Sequence, residues 1–171
     1  MSKTFLELAA ERYSVRDFAP AEVEQEKIDK ILEAAKLAPT AVNFQPQKLY
    51  VATGEALARL AAIRPLFGAT LAILVCYDDS ISWKNARDNG HDSGDVDAAI
   101  VTTHMMMEAQ ELGLGSCWIG AFSPEAVSSE FGSPAGIHPV AILALGYPSE
   151  SCRPSDRHAA YRSMEEMVQQ L

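Results

Sequence analysis

The chain has 171 residues, enough for one well-developed core and few for two, so 1–171 is expected to form a single domain. Acidic residues outnumber basic ones by 23 to 14, a net charge of −9, which argues against nucleic acid or an anionic membrane surface as partner and leaves any bound anion to a few placed arginines. Cys76, Cys117 and Cys152 form no C-x-x-C pair and no stretch is apolar for long enough to span a bilayer, so the expectation is a soluble, cytoplasmic protein without a disulfide framework or a zinc site.

Thr4 to Arg12 reads as a short helix, with Thr4 as N-cap, Glu7 closing a capping box, and Phe5, Leu8 and Ala9 on one face. It ends in Arg12-Tyr-Ser-Val-Arg-Asp-Phe18. Two arginines and a serine beyond a helix end either grip a phosphate by charge-assisted hydrogen bonds or form a solvated, salt-bridged turn. Ile28, Ile31, Leu32, Ala35 and Ala38 follow helical spacing through Glu24 to Ala38, and that helix delivers the segment Leu37 to Pro46. Pro39 and Pro46 fix its ends, and Thr40, Asn43 and Gln45 lie between them. It is either a helix stop with a turn or a rigid loop that presents hydrogen-bond groups to a ligand.

Lys48 to Thr53 is a strand that Gly54 ends, Glu55 to Ile63 a helix, and Thr70 to Tyr77 an apolar strand covered on both faces. Asp78 to Asp95 is a polar, solvated loop without the spacing of a calcium site. Its Trp83 either folds over a pocket or anchors the loop. Asp95 is the expected cap of a helix from Val96 to Leu112, which is apolar on nearly all sides and so belongs in a core or a subunit interface. His104 and Glu108 on it can share a metal, although a satisfied core histidine is the commoner outcome. Leu114 to Phe122 begins as a strand and opens at Gly120, Cys117 reads as a packed residue, and Ser123-Pro124 starts another helix. Pro139 to Gly146 is a second apolar strand. The tail carries Arg153, Arg157 and Arg162, which either reach an anion or pair with acidic surface, and then a helical Met164 to Val168.

Helices alternating with roughly four strands predict a layered α/β or α+β domain. Neither a dinucleotide-binding G-x-G-x-x-G nor a Walker, H-E-x-x-H or G-x-S-x-G motif is present, which leaves arginine-rich ends, an amide-rich loop and a glycine opening. These suit a phosphorylated cofactor that carries the chemistry itself.

Four stretches together resemble the nitroreductase family of FMN-dependent oxidoreductases across most of the chain. They are Arg12-Tyr-Ser-Val-Arg-Asp-Phe18, the Ile28–Ala38 helix with Pro39-Thr-Ala-Val-Asn-Phe-Gln-Pro46, Asp97 onward to Leu112-Gly-Leu-Gly-Ser-Cys-Trp-Ile-Gly120, and Ala144-Leu-Gly-Tyr-Pro148. Gln47 stands where many members carry a tryptophan. The chain is also short for the family, which leaves the loop with Trp83 and His91 as the candidate cover of the substrate pocket. The resemblance implies an α+β fold with a central, mainly antiparallel sheet flanked by helices, built as an intertwined homodimer with two FMN molecules at the interface and the Val96–Leu112 helix in the dimer core. It implies that Arg12, Tyr13 and Ser14 hold the FMN phosphate and ribityl chain, with Arg162, or as second choice Arg157, approaching the phosphate from the tail. Pro39, Thr40, Ala41 and Asn43 would reach the isoalloxazine from the partner subunit, and Ile119 and Gly120 would lie along its other edge.

No side chain is expected to act as catalytic acid or base. By the resemblance, NADH or NADPH reduces the flavin and leaves, and a nitroaromatic, quinone, flavin or similar acceptor takes the electrons in a ping-pong cycle. Other flavin reactions on the same fold, such as dehalogenation or heterocycle oxidation, and a non-enzymatic flavin-binding module are the alternatives.

Overall fold

The computed structural model describes residues 3–171. A four-stranded sheet lies at its centre, built from β1 (Gln47–Ala52), β2 (Leu71–Asp78), β5 (Gly115–Ile119) and β6 (Ile137–Gly146) in the order β1-β2-β6-β5. Every pairing in it is antiparallel, as the expected α+β class requires. The two apolar runs occupy the two interior strands. Pro139, which lacks a ladder donor, is accommodated where the β2–β6 register shifts between Val75 and Cys76.

Alternation along these strands feeds two cores, because successive side chains leave opposite faces. Leu71, Ile73, Val75, Leu143 and Leu145 meet α2 (Gln25–Leu37) and α4 (Gly94–Glu111) on one face. Ala72, Leu74, Cys76, Ile142 and Ala144 meet Leu60 of α3 (Gly54–Ile63) and Val127 of α5 (Pro124–Phe131) on the other. The strand stops before Gly54 as expected, at Ala52, and Gly54 is itself the first residue of α3. The first helix, α1 (Phe5–Glu11), has the expected capping box between Thr4 and Glu7, but it buries no residue.

Two further expectations are corrected. The Asp78–Asp95 loop carries a small hairpin, β3 (Lys84–Asn85) with β4 (His91–Asp92). Ser93, not Asp95, is the N-cap of α4, because the helix starts at Gly94; the Ser93 side chain accepts from no helix N–H, and its hydroxyl donates instead to the buried Asp97. Gly94 is dictated by packing, since a Cβ there would lie 2.1 Å from the Tyr77 ring. His104 is satisfied by the Ile100 carbonyl at 2.9 Å, and no cluster of three metal-ligating side chains occurs among the described residues.

Beyond β6 the tail crosses back to α1, where His158 Nε2 lies 3.1 Å from the Ala10 carbonyl, and ends in α6 (Met164–Met167). Large apolar side chains remain exposed on α1 (Phe5, Leu6), on the 37–44 segment (Leu37, Val42, Phe44) and on the tail (Tyr161, Met164, Met167, Val168). No described helix is long and apolar enough to cross a membrane.

Candidate flavin site

The arginine-rich segment lies along the outer edge of β5. Ser14 bridges Ser116, and the Val15 N–H donates to the Ser116 carbonyl at 2.9 Å. This pairing sets Arg12, Tyr13 and Ser14 beside the strand that ends in Ile119 and Gly120. Gly115 makes it possible, because a Cβ there would sit 2.6 Å from the Val15 side chain. The turn after α3 closes on the same segment through a Phe18 N–H to Phe67 carbonyl bond of 3.1 Å.

Arg64 at the end of α3 thereby joins the group, a residue that sequence reasoning missed. The Cys117 thiol sits within the field of Arg16, Arg64 and Arg12, all favouring its ionised form, yet burial wins and its pKa is raised. Cys117 is thus a packed residue, as expected. Among the described residues none of these three arginines pairs with a carboxylate, and Arg64 Nε is buried without any hydrogen-bond partner. A lone arginine in the apolar run Ala-Ala-Ile-Arg-Pro-Leu-Phe was the signal in the sequence. Tyr13 is half-buried, and its pKa is raised first by that burial and then by the neighbouring Cys152 thiol. Next to it Ser14, Arg16, Asp17, Ser151, Cys152, Arg153 and Ser155 line a cavity of about 290 Å³.

The second group gathers at the start of β1. Thr40 precedes a single 3₁₀ turn, Ala41–Asn43, and its hydroxyl accepts from the Gln45 N–H at 3.0 Å, while Gln45 Nε2 donates to Asn43 Oδ1 at 3.0 Å. Asp97 fixes the segment to α4 by accepting the Ala41 N–H at 2.8 Å. Val42, Asn43 and Gln45 all have positive φ, at 47°, 57° and 52°. Each costs about 1 kcal/mol or more, and a β-branched valine is the least suited of the three. Pro39 and Asn43 are exposed here, and Gln47 Oε1, one residue beyond Pro46, is buried without a partner.

The two groups lie at opposite corners of the sheet. Gln47 pairs through Tyr77 to His138 at the start of β6, whereas Ser116 pairs with Leu145 near its end. The 18 residues of α4 run from one corner to the other, a distance of roughly 27 Å. Arg12, Tyr13 and Ser14 are therefore set along the first half of β5, the strand whose far end is Ile119 followed by Gly120, and Pro39, Thr40, Ala41 and Asn43 are not brought to them. Arg162 lies on the tail with its guanidinium turned to Glu166, and the residue that the tail lays against the arginine corner is His158, adjacent to Arg157.

The donor set suits a flavin mononucleotide. Three guanidinium groups without a carboxylate partner match a phosphate and flavin carbonyl acceptors, although Arg16 also donates to the Ser14 carbonyl at 3.4 Å, and among the described residues the buried side-chain atoms without partners, Arg64 Nε and Gln47 Oε1, fall one on each group.

Likeness to known proteins agrees with this geometry. The Nitroreductase family matches residues 9–64 and 64–147. A nitroreductase family protein of Clostridium difficile 630 is 39% identical with a TM-score of 0.92, each chain covered to 98%. A protein of Methanothermobacter thermautotrophicus provisionally named NADH dehydrogenase/NAD(P)H nitroreductase is 31% identical over 160 residues, 85% of this chain and 78% of the relative. A Desulfovibrio desulfuricans protein whose structure was solved in complex with FMN shares the fold at a TM-score of 0.80 and 24% identity, with 100% of this chain and 98% of that one covered. The motifs, the antiparallel sheet and the family match over most of the sequence give one conclusion: the chain belongs to the nitroreductase family.

Proposed function

We infer that the protein is an FMN-dependent oxidoreductase that uses NADH or NADPH to reduce a nitroaromatic, quinone, flavin or similar small acceptor. The observation that carries this is the pair of complementary half-sites, each with a buried polar atom lacking a partner. Arg12, Tyr13 and Ser14 hold the phosphate and ribityl chain, with Arg162 or Arg157 supplied by the tail. Arg16 and Arg64 would add positive charge beside the bound flavin, which favours its reduced, anionic form. Pro39, Thr40, Ala41 and Asn43 of a second copy of this chain complete the site, with Ile119 and Gly120 along the other edge.

That assignment makes the working unit a homodimer, with each 1–171 chain as one FMN-binding unit. The distance between half-sites and the exposed apolar side chains of α1, the 37–44 segment and the tail support it. They are of the kind a subunit interface covers.

FMN, when bound, supplies the hydride acceptor and donor. The chain's own contribution is position, charge and exclusion of water, and no side chain is assigned as acid or base. Nicotinamide and acceptor take turns at one face, a ping-pong order. With a nitroarene the first two-electron step is NAD(P)H + H⁺ + ArNO₂ → NAD(P)⁺ + ArNO + H₂O. Purified protein should be yellow, release FMN on denaturation, and oxidise NADH or NADPH with parallel double-reciprocal plots. Failure to bind FMN, or to oxidise either nicotinamide with any nitroarene, quinone or free flavin, would overturn the reading.

A further inference from the structure

The hairpin between β2 and α4 is rooted at both ends in the half-site around Asn43. At its start the Asp78 N–H donates to the Pro46 carbonyl at 2.9 Å. At its end the Ser93 hydroxyl donates to Asp97, the carboxylate that also holds the Ala41 N–H. Between these roots the hairpin is braced by its own polar bonds. Lys84 bridges Asp92 and the Ser82 hydroxyl, the Ser93 N–H donates to the Trp83 carbonyl at 3.0 Å, and Asn85 closes the tip by accepting from the N–H groups of Arg87, Asp88 and Gly90. A shallow hollow of about 510 Å³ runs along it, lined by Trp83, Lys84, Asn85, Ala86 and Arg87.

The two cations of this hollow differ. Lys84 is neutralised by Asp92, whereas Arg87 is exposed and has no carboxylate partner among the described residues. The half-buried Trp83 offers an aromatic surface on the same short element. A chain with a net charge of −9 repels anionic substrates in general, so a cation left without a carboxylate partner beside an aromatic surface favours an anionic aromatic ligand at that spot.

We propose that this hairpin is the acceptor-selecting wall of the site, and that it favours planar aromatic acceptors bearing a carboxylate, the ring resting on Trp83 and the carboxylate pairing with Arg87. The proposal rests on the reading of the protein as a flavin-dependent reductase. Its overall step is the nitro-to-nitroso conversion written above, with NAD(P)H oxidised and water released, and the carboxylate is unchanged.

The test compares 4-nitrobenzoate with its neutral methyl ester on FMN-loaded protein. The wild type should prefer the acid in kcat/KM, and Arg87→Gln should lower the acid-to-ester ratio about tenfold, mostly through KM for the acid. Trp83→Leu should raise KM for both. Calorimetric titration of 4-nitrobenzoate into the same FMN-loaded proteins gives a readout independent of turnover, with binding to the wild type and about tenfold weaker binding to Arg87→Gln. No preference for the acid, an unchanged ratio in Arg87→Gln, or no binding of 4-nitrobenzoate would overturn the proposal. FMN-loaded protein that binds 4-nitrobenzoate through Arg87 but turns over no acceptor would instead remove the reductase reading and leave the binding site standing.

Discussion

Arg64 makes a sharp test of the flavin site because its burial is already set by the fold and only its partner is missing. Arg64→Gln keeps a hydrogen-bonding side chain and removes the charge, and it is expected to weaken FMN binding about tenfold or more while far-ultraviolet circular dichroism stays unchanged. Asn43→Ala should likewise lower FMN affinity or shift the flavin's reduction potential, which a redox titration would measure. The cysteines give an independent check on burial. Cys76 is fully buried with its pKa pushed up to about 12, and Cys117 is buried and shifted the same way, so a thiol reagent should label one cysteine, Cys152, in the native protein and all three after unfolding. Rapid labelling of all three in the native protein would contradict this packing. At this scale the sequence was readable where several polar types cluster, as at Arg12 to Arg16, and silent where one polar residue stands among apolar ones. Arg64 acquires its meaning only because the Phe18–Phe67 hydrogen bond closes a turn onto a segment nearly fifty residues earlier in the chain.

Between the elements, Asp97 links the start of α4 to both the hairpin root and the 40–45 segment. It is 2% exposed and uses both oxygens, so Asp97→Ala strands two donors and should cost roughly 2 to 4 kcal/mol in denaturant unfolding. Gly94→Ala should be comparably harmful, because the new methyl group meets the face of Tyr77, itself stacked on His138 with ring centroids 4.9 Å apart. Helices and strands were largely legible from periodicity. Ile28, Ile31 and Ala35 are buried as their spacing demanded, and the run from Leu71 is a central strand with both faces covered. The start of α4 was less legible, since Ser93, Asp95 and Asp97 all have capping chemistry. Side-chain type could not say which would be claimed by the backbone at Ala41. The hairpin at 84–92 was hidden for a related reason: its order comes from Lys84, Asp92 and Asn85 acting across the turn, and it has almost no apolar alternation to announce it.

For the whole molecule, the proposed sharing of each flavin site between two chains predicts complementation between damaged chains. A chain carrying Arg12→Ala with Arg64→Gln should fail to retain FMN, and so should one carrying Asn43→Ala with Thr40→Ala. Refolded together in equal amounts, they should regain about a quarter of the wild-type flavin sites, because half the dimers are mixed and each mixed dimer has one undamaged site. Recovery of none would return both groups to separate duties within one chain.

The same sharing has a further consequence, for cofactor economy. If neither corner can retain the flavin alone, occupancy depends on meetings between chains as well as on free FMN, and each bound flavin fastens the pair that holds it. The protein should then lose its colour on dilution at constant free FMN, and regain it on concentration. Newly made chains at low abundance would leave the cell's flavin pool untouched until enough of them had accumulated to pair.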